Sequence, residues 1–364
     1  MVNPRVEEAD LIIHRVNREI TIIIVTQILS VVEDRLTNQI KVHKSRISTV
    51  KYKNIILLGG SGFVGKHLAI ELAQRGYNVT LPCRRPHRLN ELKVLSSITV
   101  IKADIMDQAE LTSICKGHDV VFNLVGILNE SGKNTFRKMH IDFVKSIVQS
   151  CQSNNIKRLL HISALGANQA SGGSLYLRTK GEGENLLHTF GQNKLQVTSF
   201  QPSVIFGSDD SFINRFSGIL KLSKGLFPLA CPGSRFSPVF IGDAVSAMAD
   251  TIDDPTSFSR RYPLCGPETL TLLQIVELIK QAQQSKCKIV GLPNSLAKLQ
   301  AVILQNLPGK LFTMDNYRSL QTPGTCENGV ATCTTSFSSY IKGLPHLYNR
   351  RPTYDELRKQ LNGK

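Results

Sequence analysis

The sequence lacks the features of a membrane-spanning chain. It has no tryptophan, and aromatic residues make up only 6% of its 364 residues. Its longest apolar run, residues 20–32, is interrupted by two threonines, a glutamine and a serine. A helix that crosses a bilayer needs about 20 mostly apolar residues, so this run is too short. With 41% hydrophobic residues, the composition predicts a globular protein that is not integral to a membrane.

The cysteine pattern also excludes some classes of protein. The eight cysteines form no CxxC pair, and no histidine cluster accompanies them, so no metal site is predicted. A disulfide scaffold is usually smaller and denser in cysteine. We therefore expect mostly buried, reduced thiols and a cytoplasmic location.

Negative charge is scarce, especially near the C-terminus. The net charge is +16, and residues 281–364 hold 11 Lys and Arg against 4 Asp and Glu. Such a basic region suits nucleic acid, an anionic membrane surface or an acidic protein partner. No nucleic-acid-binding module is recognisable, so nucleic acid is not an expected partner. Membrane attachment would be peripheral, on the inner face of the cell membrane.

From residue 54 onward, short apolar runs alternate with amphipathic stretches. The predicted strands are 55–58, 79–81, 99–101, 120–125, 159–162 and 197–200. The predicted helices between them are 64–75, 109–115, 141–153 and 180–190. This alternation is typical of parallel βαβ units. It predicts an α/β fold with a doubly wound parallel sheet, followed by a smaller C-terminal α/β lobe.

A glycine-rich loop follows the first predicted strand directly. It reads Gly59-Gly60-Ser61-Gly62-Phe63-Val64-Gly65 and opens a helical stretch. Glycines at this spacing allow a sharp turn, close approach of the backbone to a pyrophosphate and tight packing of the helix on its strand. The free N–H groups of the helix start then face the phosphates. The context predicts a Rossmann-type dinucleotide-binding domain. The expected contacts are Gly59, Ser61, Gly62, Phe63, Val64 and Gly65.

Two arginines at the end of the second predicted strand indicate which dinucleotide is bound. NAD-binding domains place an acid about 20 residues past the glycines, whereas this sequence has Arg84 and Arg85 there. Guanidinium groups bind a ribose 2′-phosphate bidentately. NADP(H) is therefore the expected cofactor and NAD(H) the less favoured one, with a solvated basic pair as the alternative. Asp104, after the third strand, is placed to meet the adenine or to cap a helix.

A serine, a tyrosine and a lysine follow the fifth predicted strand at a characteristic spacing. Ser163 ends that strand, Tyr176 comes 13 residues later, and Lys180 lies four residues beyond. Positions i and i+4 share a helix face. An ammonium group beside a phenol lowers the phenol pKa from about 10. The set predicts Tyr176 as general acid or base, Lys180 as its electrostatic partner and Ser163 as a donor to a substrate oxygen.

Together, these motifs resemble the short-chain dehydrogenase/reductase superfamily, in its extended or atypical branch, over about residues 53–320. The finer resemblance is to the NAD(P)-binding accessory subunit of respiratory complex I and its bacterial relatives. The stretches that carry it are 59–65, 81–84, 122–126, 174–184, 201–207, 209–212, 238–244 and 312–316.

The resemblance implies a tightly held NADPH and a role for each matching residue. Arg84 would bind the 2′-phosphate, and Asp104 and Ile105 would lie beside the adenine. The remaining contacts would be Val125 and Gly126 at the adenosine ribose, Tyr176 and Lys180 at the nicotinamide ribose, and Pro202 and Ser203 near the carboxamide. Mammalian members of the family are structural subunits without an established turnover.

The expected domain organisation follows from these assignments. Residues 1–50 hold six acids, which argues against a transit peptide. They are either an extra arm or the product of a start site placed too far upstream. The expected boundaries are 1–52 for an N-terminal extension, 53–205 for the Rossmann domain, 206–325 for the smaller lobe with 236–255 returning to the first domain, and 326–364 for an irregular basic tail.

Two functions remain open at this point. One is an NADPH-holding protein that associates with respiratory complex I or another membrane enzyme complex. The other is an active NADPH-dependent oxidoreductase or a nucleotide-sugar epimerase or dehydratase that uses the serine, tyrosine and lysine. One departure weighs against catalysis: His140 stands where many superfamily members have an asparagine, either as its substitute or as a packed or surface residue. A nucleotide sugar would also need a diphosphate site, for which the candidates are Arg215, Lys221, Lys224 and Arg235.

Overall fold

The computed structural model describes residues 52–191, 195–223, 225–307, 309–326 and 332–343. The predicted N-terminal extension, apart from Tyr52, lies outside these ranges, as does most of the predicted tail. Within the described ranges, no helix is long and apolar enough to cross a bilayer.

The order of strands and helices follows the predicted alternation. The strands are β1 (Asn54–Leu58), β2 (Asn78–Cys83), β3 (Ile98–Lys102), β4 (Val120–Asn123), β5 (Arg158–Ile162), β6 (Gln196–Pro202), β7 (Ile205–Phe206), β8 (Leu226–Leu229), β9 (Arg235–Phe236), β10 (Val239–Phe240), β11 (Arg260–Leu264), β12 (Leu270–Thr271) and β13 (Lys288–Gly291). The helices are α1 (Phe63–Gln74), α2 (Gln108–Cys115), α3 (Phe143–Ser153), α4 (Leu175–Gly191), α5 (Ser211–Leu222), α6 (Ile241–Asp250), α7 (Leu272–Ala282), α8 (Asn294–Leu304), α9 (Met314–Leu320) and α10 (Phe337–Lys342).

The main sheet is parallel throughout, in the order β11-β6-β5-β4-β1-β2-β3. The predicted doubly wound fold is therefore confirmed, and each of the six predicted strands is present. The strand order reverses between β1 and β4, and open sheets of this kind bind ligands at the carboxyl ends of the strands beside such a reversal. The cofactor site is therefore expected at the carboxyl ends of β1 and β4.

Strand β1 supplies both hydrophobic cores of the main sheet. Ile55 and Leu57 pack on one side, with α1 and α6, while Ile56 and Leu58 pack on the other, with α3. All four side chains are fully buried. A parallel strand covered on both faces is apolar at consecutive positions rather than at alternate ones, which explains the run of four apolar residues before the glycine loop.

Strand β11 joins the main sheet beside β6 although its sequence does not predict a strand. It contains two exposed arginines and a proline. Proline cannot donate to a neighbouring strand and is tolerated at a sheet edge. Because β11 is the edge strand, tertiary pairing with β6 outweighs its weak intrinsic preference.

In the described part of the smaller lobe, the short strands pair as three two-stranded sheets, β7 with β10, β9 with β12, and β8 with β13. Its core includes Phe206, Ile213, Ile275 and Phe337. Between β10 and β11, helix α6 packs against α1, and Arg75, which directly follows α1, pairs with the carboxylate of Asp250 at 2.6 Å.

The cysteine prediction is wrong for one pair. Cys265 and Cys326 form a disulfide, with their Cα atoms 6.2 Å apart, whereas the other six cysteines are free and buried. The two bonded cysteines are separated by 61 residues. Pairing of cysteines so far apart cannot be deduced from spacing alone.

Candidate cofactor site and adjoining cavity

The glycine loop after β1 lies against the loop after β4 without room for side chains. A Cβ atom on Gly59 would lie 3.1 Å from the backbone nitrogen of Val125, and the φ angle of Gly59 is +85°. A Cβ atom on Gly65 would lie 2.5 Å from the Cα of Gly60. Glycine is therefore required at both positions, for the turn and for close packing of α1 on the loop.

The N-terminus of α1 is open to an anion. Its N-cap is Gly62, no side chain caps it, and its first turn has no acidic residue. The first N–H groups of any helix have no intrahelical partner, here those of Phe63, Val64 and Gly65. By contrast, aspartates cap α2 and α5. An uncapped helix start behind a glycine loop fits a pyrophosphate.

Arg84 and Arg85 lie immediately after β2, and both are exposed. Among the described residues neither guanidinium has a hydrogen-bond or ion-pair partner. The nearby acid Glu91 is already paired with Lys66 at 2.5 Å. The two arginines are therefore available for a phosphate at this end of the site.

Asp104 and Ile105 lie after β3. The Asp104 carboxylate accepts a hydrogen bond from the backbone nitrogen of Met106 at 3.1 Å, whereas the N-cap of α2 is Asp107. The alternative that Asp104 caps this helix is therefore wrong. Ile105 is partly buried and packs against the core on the α3 side of the sheet.

Val125 and Gly126 follow β4 and lie between the glycine loop and the predicted catalytic residues. The Asn123 side chain accepts a hydrogen bond from the backbone nitrogen of Val125 at 3.1 Å. A Cβ atom on Gly126 would lie 3.6 Å from Nζ of Lys180 and 3.8 Å from Nε2 of His140. The lysine and the histidine thus meet beside the glycine.

Tyr176 and Lys180 lie near the start of α4, which begins at Leu175 rather than at the predicted residue 180. Tyr176 is half-buried and lines a cavity, and its hydroxyl has no hydrogen-bond partner among the described residues. Lys180 is buried, and its ammonium donates to the carbonyl oxygen of Ile162 at 2.6 Å. Burial lowers the pKa of Lys180 to about 8, against the opposing charge of Glu184.

The expectation that Lys180 lowers the phenol pKa is wrong for the protein alone. Burial raises the pKa of Tyr176 to about 12, because a phenolate is poorly solvated there. The ammonium is directed at the Ile162 carbonyl.

The structure does not leave Ser163 free to act beside Tyr176. Its buried hydroxyl donates to Glu184 at 2.7 Å. Glu184 also accepts from the amide of Gln201 at 3.1 Å and pairs with Arg261 at 3.1 Å. Sequence reasoning missed Glu184, although Tyr176, Lys180 and Glu184 recur every four residues and so share one face of α4.

His140 is a packed residue and not a surface one. It lies in a π turn, Lys138–Asp142, ahead of α3 and is buried. Its Nε2 accepts from the backbone nitrogen of Ile127 at 3.2 Å, and its Nδ1 lies 3.0 Å from the Thr179 hydroxyl. Burial, with the nearby charge of Lys180, lowers the pKa of His140 to about 3. The imidazole is therefore neutral at physiological pH.

Pro202 and Ser203, at the carboxyl end of β6, line a cavity of about 610 Å³. The cavity begins at Tyr176 and extends into the smaller lobe. Of the proposed diphosphate ligands, Arg215 lines it, Lys221 and Arg235 do not, and Lys224 lies outside the described residues.

Comparison with known proteins agrees with this geometry. A family of NAD(P)H-binding domains matches residues 59–205, from the first glycine of the loop to just beyond β6. This domain therefore binds a nicotinamide dinucleotide.

Two curated relatives are subunits of a respiratory enzyme. The chain is 23% identical over 253 residues to the mitochondrial 40 kDa subunit of NADH-ubiquinone oxidoreductase from Neurospora crassa, covering 68% of this chain and 65% of that one. It is 26% identical over 283 residues to the mitochondrial alpha subcomplex subunit 9 of NADH dehydrogenase (ubiquinone) from Arabidopsis thaliana, covering 73% and 69%. The matched region spans about two thirds of each relative.

A solved structure shares the fold. The NADPH complex of an NADPH-dependent quinone oxidoreductase from Escherichia coli matches with a TM-score of 0.63 at 18% identity, covering 80% of this chain and 99% of that one. The chain shares the overall fold of this oxidoreductase and of a nucleoside-diphosphate-sugar epimerase from Staphylococcus aureus, which matches with a TM-score of 0.61 at 16% identity. In sequence, it is similar to the two NADH dehydrogenase subunits above.

Proposed function

We propose that this chain holds NADPH in preference to NADH. The observation that carries the proposal is the pair of exposed guanidiniums, Arg84 and Arg85, which lack an acidic partner in the described structure and follow β2. The pyrophosphate would lie on the uncapped start of α1, with Gly59, Ser61 and Gly62 around it. The adenine would lie beside Asp104 and Ile105.

The rest of the cofactor would extend along the strand ends. The adenosine ribose would contact Val125 and Gly126, and the nicotinamide ribose would contact Tyr176 and Lys180. The carboxamide would lie near Pro202 and Ser203, which border the cavity.

The test compares NADPH and NADH binding to Arg84→Ala and Arg85→Ala, with Lys102→Ala as a control at the exposed last position of the neighbouring strand β3. A lost charged hydrogen bond costs about 1.5–3 kcal/mol, so we expect NADPH to bind about tenfold more weakly or worse. NADH binding should change by less than about twofold. Equal losses for both nucleotides, or native protein purified with bound NADH, would contradict the preference.

We further propose that the protein associates with a respiratory complex or another membrane enzyme complex, as a peripheral component on the inner face of its membrane. The relatives' names motivate this proposal, and the outer face of α8 supports it. An apolar stripe is formed by Leu296, Leu299 and Ile303 on the helix and by Leu307 just after it, and each is about half-exposed. Such contiguous patches mark interaction sites. Native purification of the unmodified protein and of Ile303→Glu, with identification of co-purifying subunits, tests it. Identical partners for both would contradict a role for the stripe.

A second candidate function, reduction of a carbonyl substrate, is favoured by the cavity that begins at Tyr176. When bound, the nicotinamide supplies a hydride. The Tyr176 phenol, whose pKa is about 12, is protonated at neutral pH and would donate its proton to the carbonyl oxygen. Lys180 would orient the ribose and supply positive charge. If Tyr176→Phe keeps NADPH bound yet abolishes an electron-transfer or growth phenotype, a purely structural role for the cofactor is excluded.

A further inference from the structure

The cavity beside Tyr176 has walls that are mostly apolar. One face of α5 contributes Phe212, Phe216 and Ile219 at helical spacing, and β8 contributes Phe227 and Leu229. The rings of Phe212 and Phe216 lie 5.1 Å apart, and those of Phe216 and Phe227 lie 6.4 Å apart. These edge-to-face contacts form a continuous aromatic wall.

Several polar side chains of the walls are already bonded to the protein. Ser203 donates to the Gly324 carbonyl at 2.6 Å, and Gln300 donates to the Pro228 carbonyl at 3.1 Å. Asn316 donates to the Leu128 carbonyl at 3.3 Å. A polar group buried without a partner is costly, so the part of the cavity lined by the phenylalanines suits an apolar body.

The charge of the walls disfavours a sugar nucleotide. In the described part of the chain, Arg215 is the only charged side chain that lines the cavity. It is exposed, and its guanidinium also donates to the Leu311 carbonyl at 3.4 Å. A diphosphate carries two charges and needs matched donors, and one solvated arginine does not supply them.

The end of the cavity nearest the cofactor site offers one free polar group. The Tyr176 hydroxyl lines this end, and no described residue bonds to it. An oxygen of a bound molecule is therefore the partner it lacks. The volume of about 610 Å³ lies within the range of about 300–1,000 Å³ usual for small-molecule sites.

We propose that this cavity binds an uncharged molecule with an elongated apolar body and a carbonyl or hydroxyl group at one end, held against Tyr176. The inference rests on the proposed function only for the carbonyl or hydroxyl group of the ligand, which would face the nicotinamide side of the proposed cofactor site. The apolar body is recognised by the phenylalanine wall whether or not hydride is transferred.

The absence of tryptophan makes a direct binding experiment possible. In Phe212→Trp, the single indole reports on the aromatic wall, and in Leu222→Trp it reports on a position of the same helix that is 82% exposed and outside the cavity. The probe is decyl-1,4-benzoquinone, which has ring carbonyls, a ten-carbon tail and the ability to quench indole fluorescence. We expect saturable quenching in Phe212→Trp and only linear, collisional quenching in Leu222→Trp.

A second pair of variants tests whether the apolar wall is responsible. Adding Leu304→Arg to Phe212→Trp places a charge in the lining, and we expect the probe to bind at least about tenfold more weakly. Val302→Arg on the same helix is the control, since Val302 is exposed and does not line the cavity. It should change binding by less than about twofold. Equal effects of the two arginines would overturn the assignment.

Other probes decide the chemistry of the ligand. If dodecanoate binds more tightly than the benzoquinone, the proposal that the ligand is uncharged is wrong. If only UDP-glucose shows saturable binding, the proposal that the ligand has an apolar body is wrong. NADPH binding is measured separately on the same variants. If the protein binds NADPH but not the benzoquinone, only this inference is wrong. If it binds the benzoquinone but not NADPH, only the proposed function is wrong.

Discussion

Asp315 and Tyr176 are joined by a hydrogen bond of 3.1 Å, in which the backbone N–H of Tyr176 donates to the carboxylate. The same carboxylate accepts from the backbone N–H of Leu175 at 2.7 Å. An acid from α9 in the smaller lobe thus binds the start of α4, the helix that carries Tyr176 and Lys180. The position of this helix start depends on the smaller lobe being folded.

Replacing Asp315 by alanine should therefore destabilise the protein. The loss leaves two backbone donors of α4 without their partner, and a lost cap of this kind costs about 1–2 kcal/mol. Chemical denaturation of Asp315→Ala measures the loss, and Asp209→Ala, an exposed acid of the same lobe, is the control. Equal stability of the two variants would show that the cap contributes nothing.

The same substitution should have opposite effects in two helices. In Gly65→Ala the new methyl would lie 2.5 Å from the Cα of Gly60, so we expect lower stability and weaker NADPH binding. In Gly218→Ala the methyl meets nothing within 4 Å, and alanine inside a helix is favoured over glycine by about 0.5–1 kcal/mol. Thermal melting with and without NADPH separates the two effects. A stabilised Gly65→Ala would contradict the close packing of α1 on the glycine loop.

Lys180→Met should stabilise the protein without cofactor at pH 7 while weakening NADPH binding. The pKa of Lys180 falls from 10.5 to about 8 in the folded state, so the unfolded chain holds this proton more tightly. The stability associated with the group is present above pH 10.5 and is lost as the pH falls through 8.

The advantage of the methionine variant should accordingly shrink between pH 8 and pH 10.5. Melting temperatures across this interval provide the measurement, with the exposed Lys145→Met as the control. A difference between variant and natural protein that stays constant over the interval would exclude titration of Lys180 as the cause.

Glu184→Gln should destabilise the protein more than Glu182→Gln on the same helix. The first change replaces a buried acceptor of the Ser163 hydroxyl and the Arg261 guanidinium, at a cost of about 1–3 kcal/mol. Glu182 has no such contacts in the described structure. NADPH affinity should be unchanged in both variants, because the Glu184 carboxylate is bonded to Ser163, Gln201 and Arg261 and does not line the cavity beside Tyr176. A selective loss of NADPH binding in Glu184→Gln would instead place Ser163 in the cofactor site.

The sequence predicts the main sheet well because buried parallel strands have a strong local signal. The run Ile55–Leu58 and the glycine loop after it identify β1, the turn and α1 without any tertiary information. β11 could not be predicted in this way, since its charged, proline-containing sequence forms a strand only where β6 offers an edge.

The sequence proposes residues for the candidate site but does not give their arrangement. The spacing of Tyr176 and Lys180 identifies a shared helix face, yet it does not show that Ser163 bonds to Glu184 or that burial raises the tyrosine pKa. The cavity walls come from segments as distant as β6 and α9. Contacts of that kind depend on the tertiary fold, as does the pairing of Cys265 with Cys326.

The position of β11 at the edge of the sheet has a consequence for how the chain matures. β6 emerges from the ribosome about 60 residues before the strand that pairs with it, at a synthesis rate of about 5–20 residues per second. During that interval its outer edge is unpaired and open to association with other chains. The nucleotide-binding half therefore cannot finish folding until much of the smaller lobe has been synthesised.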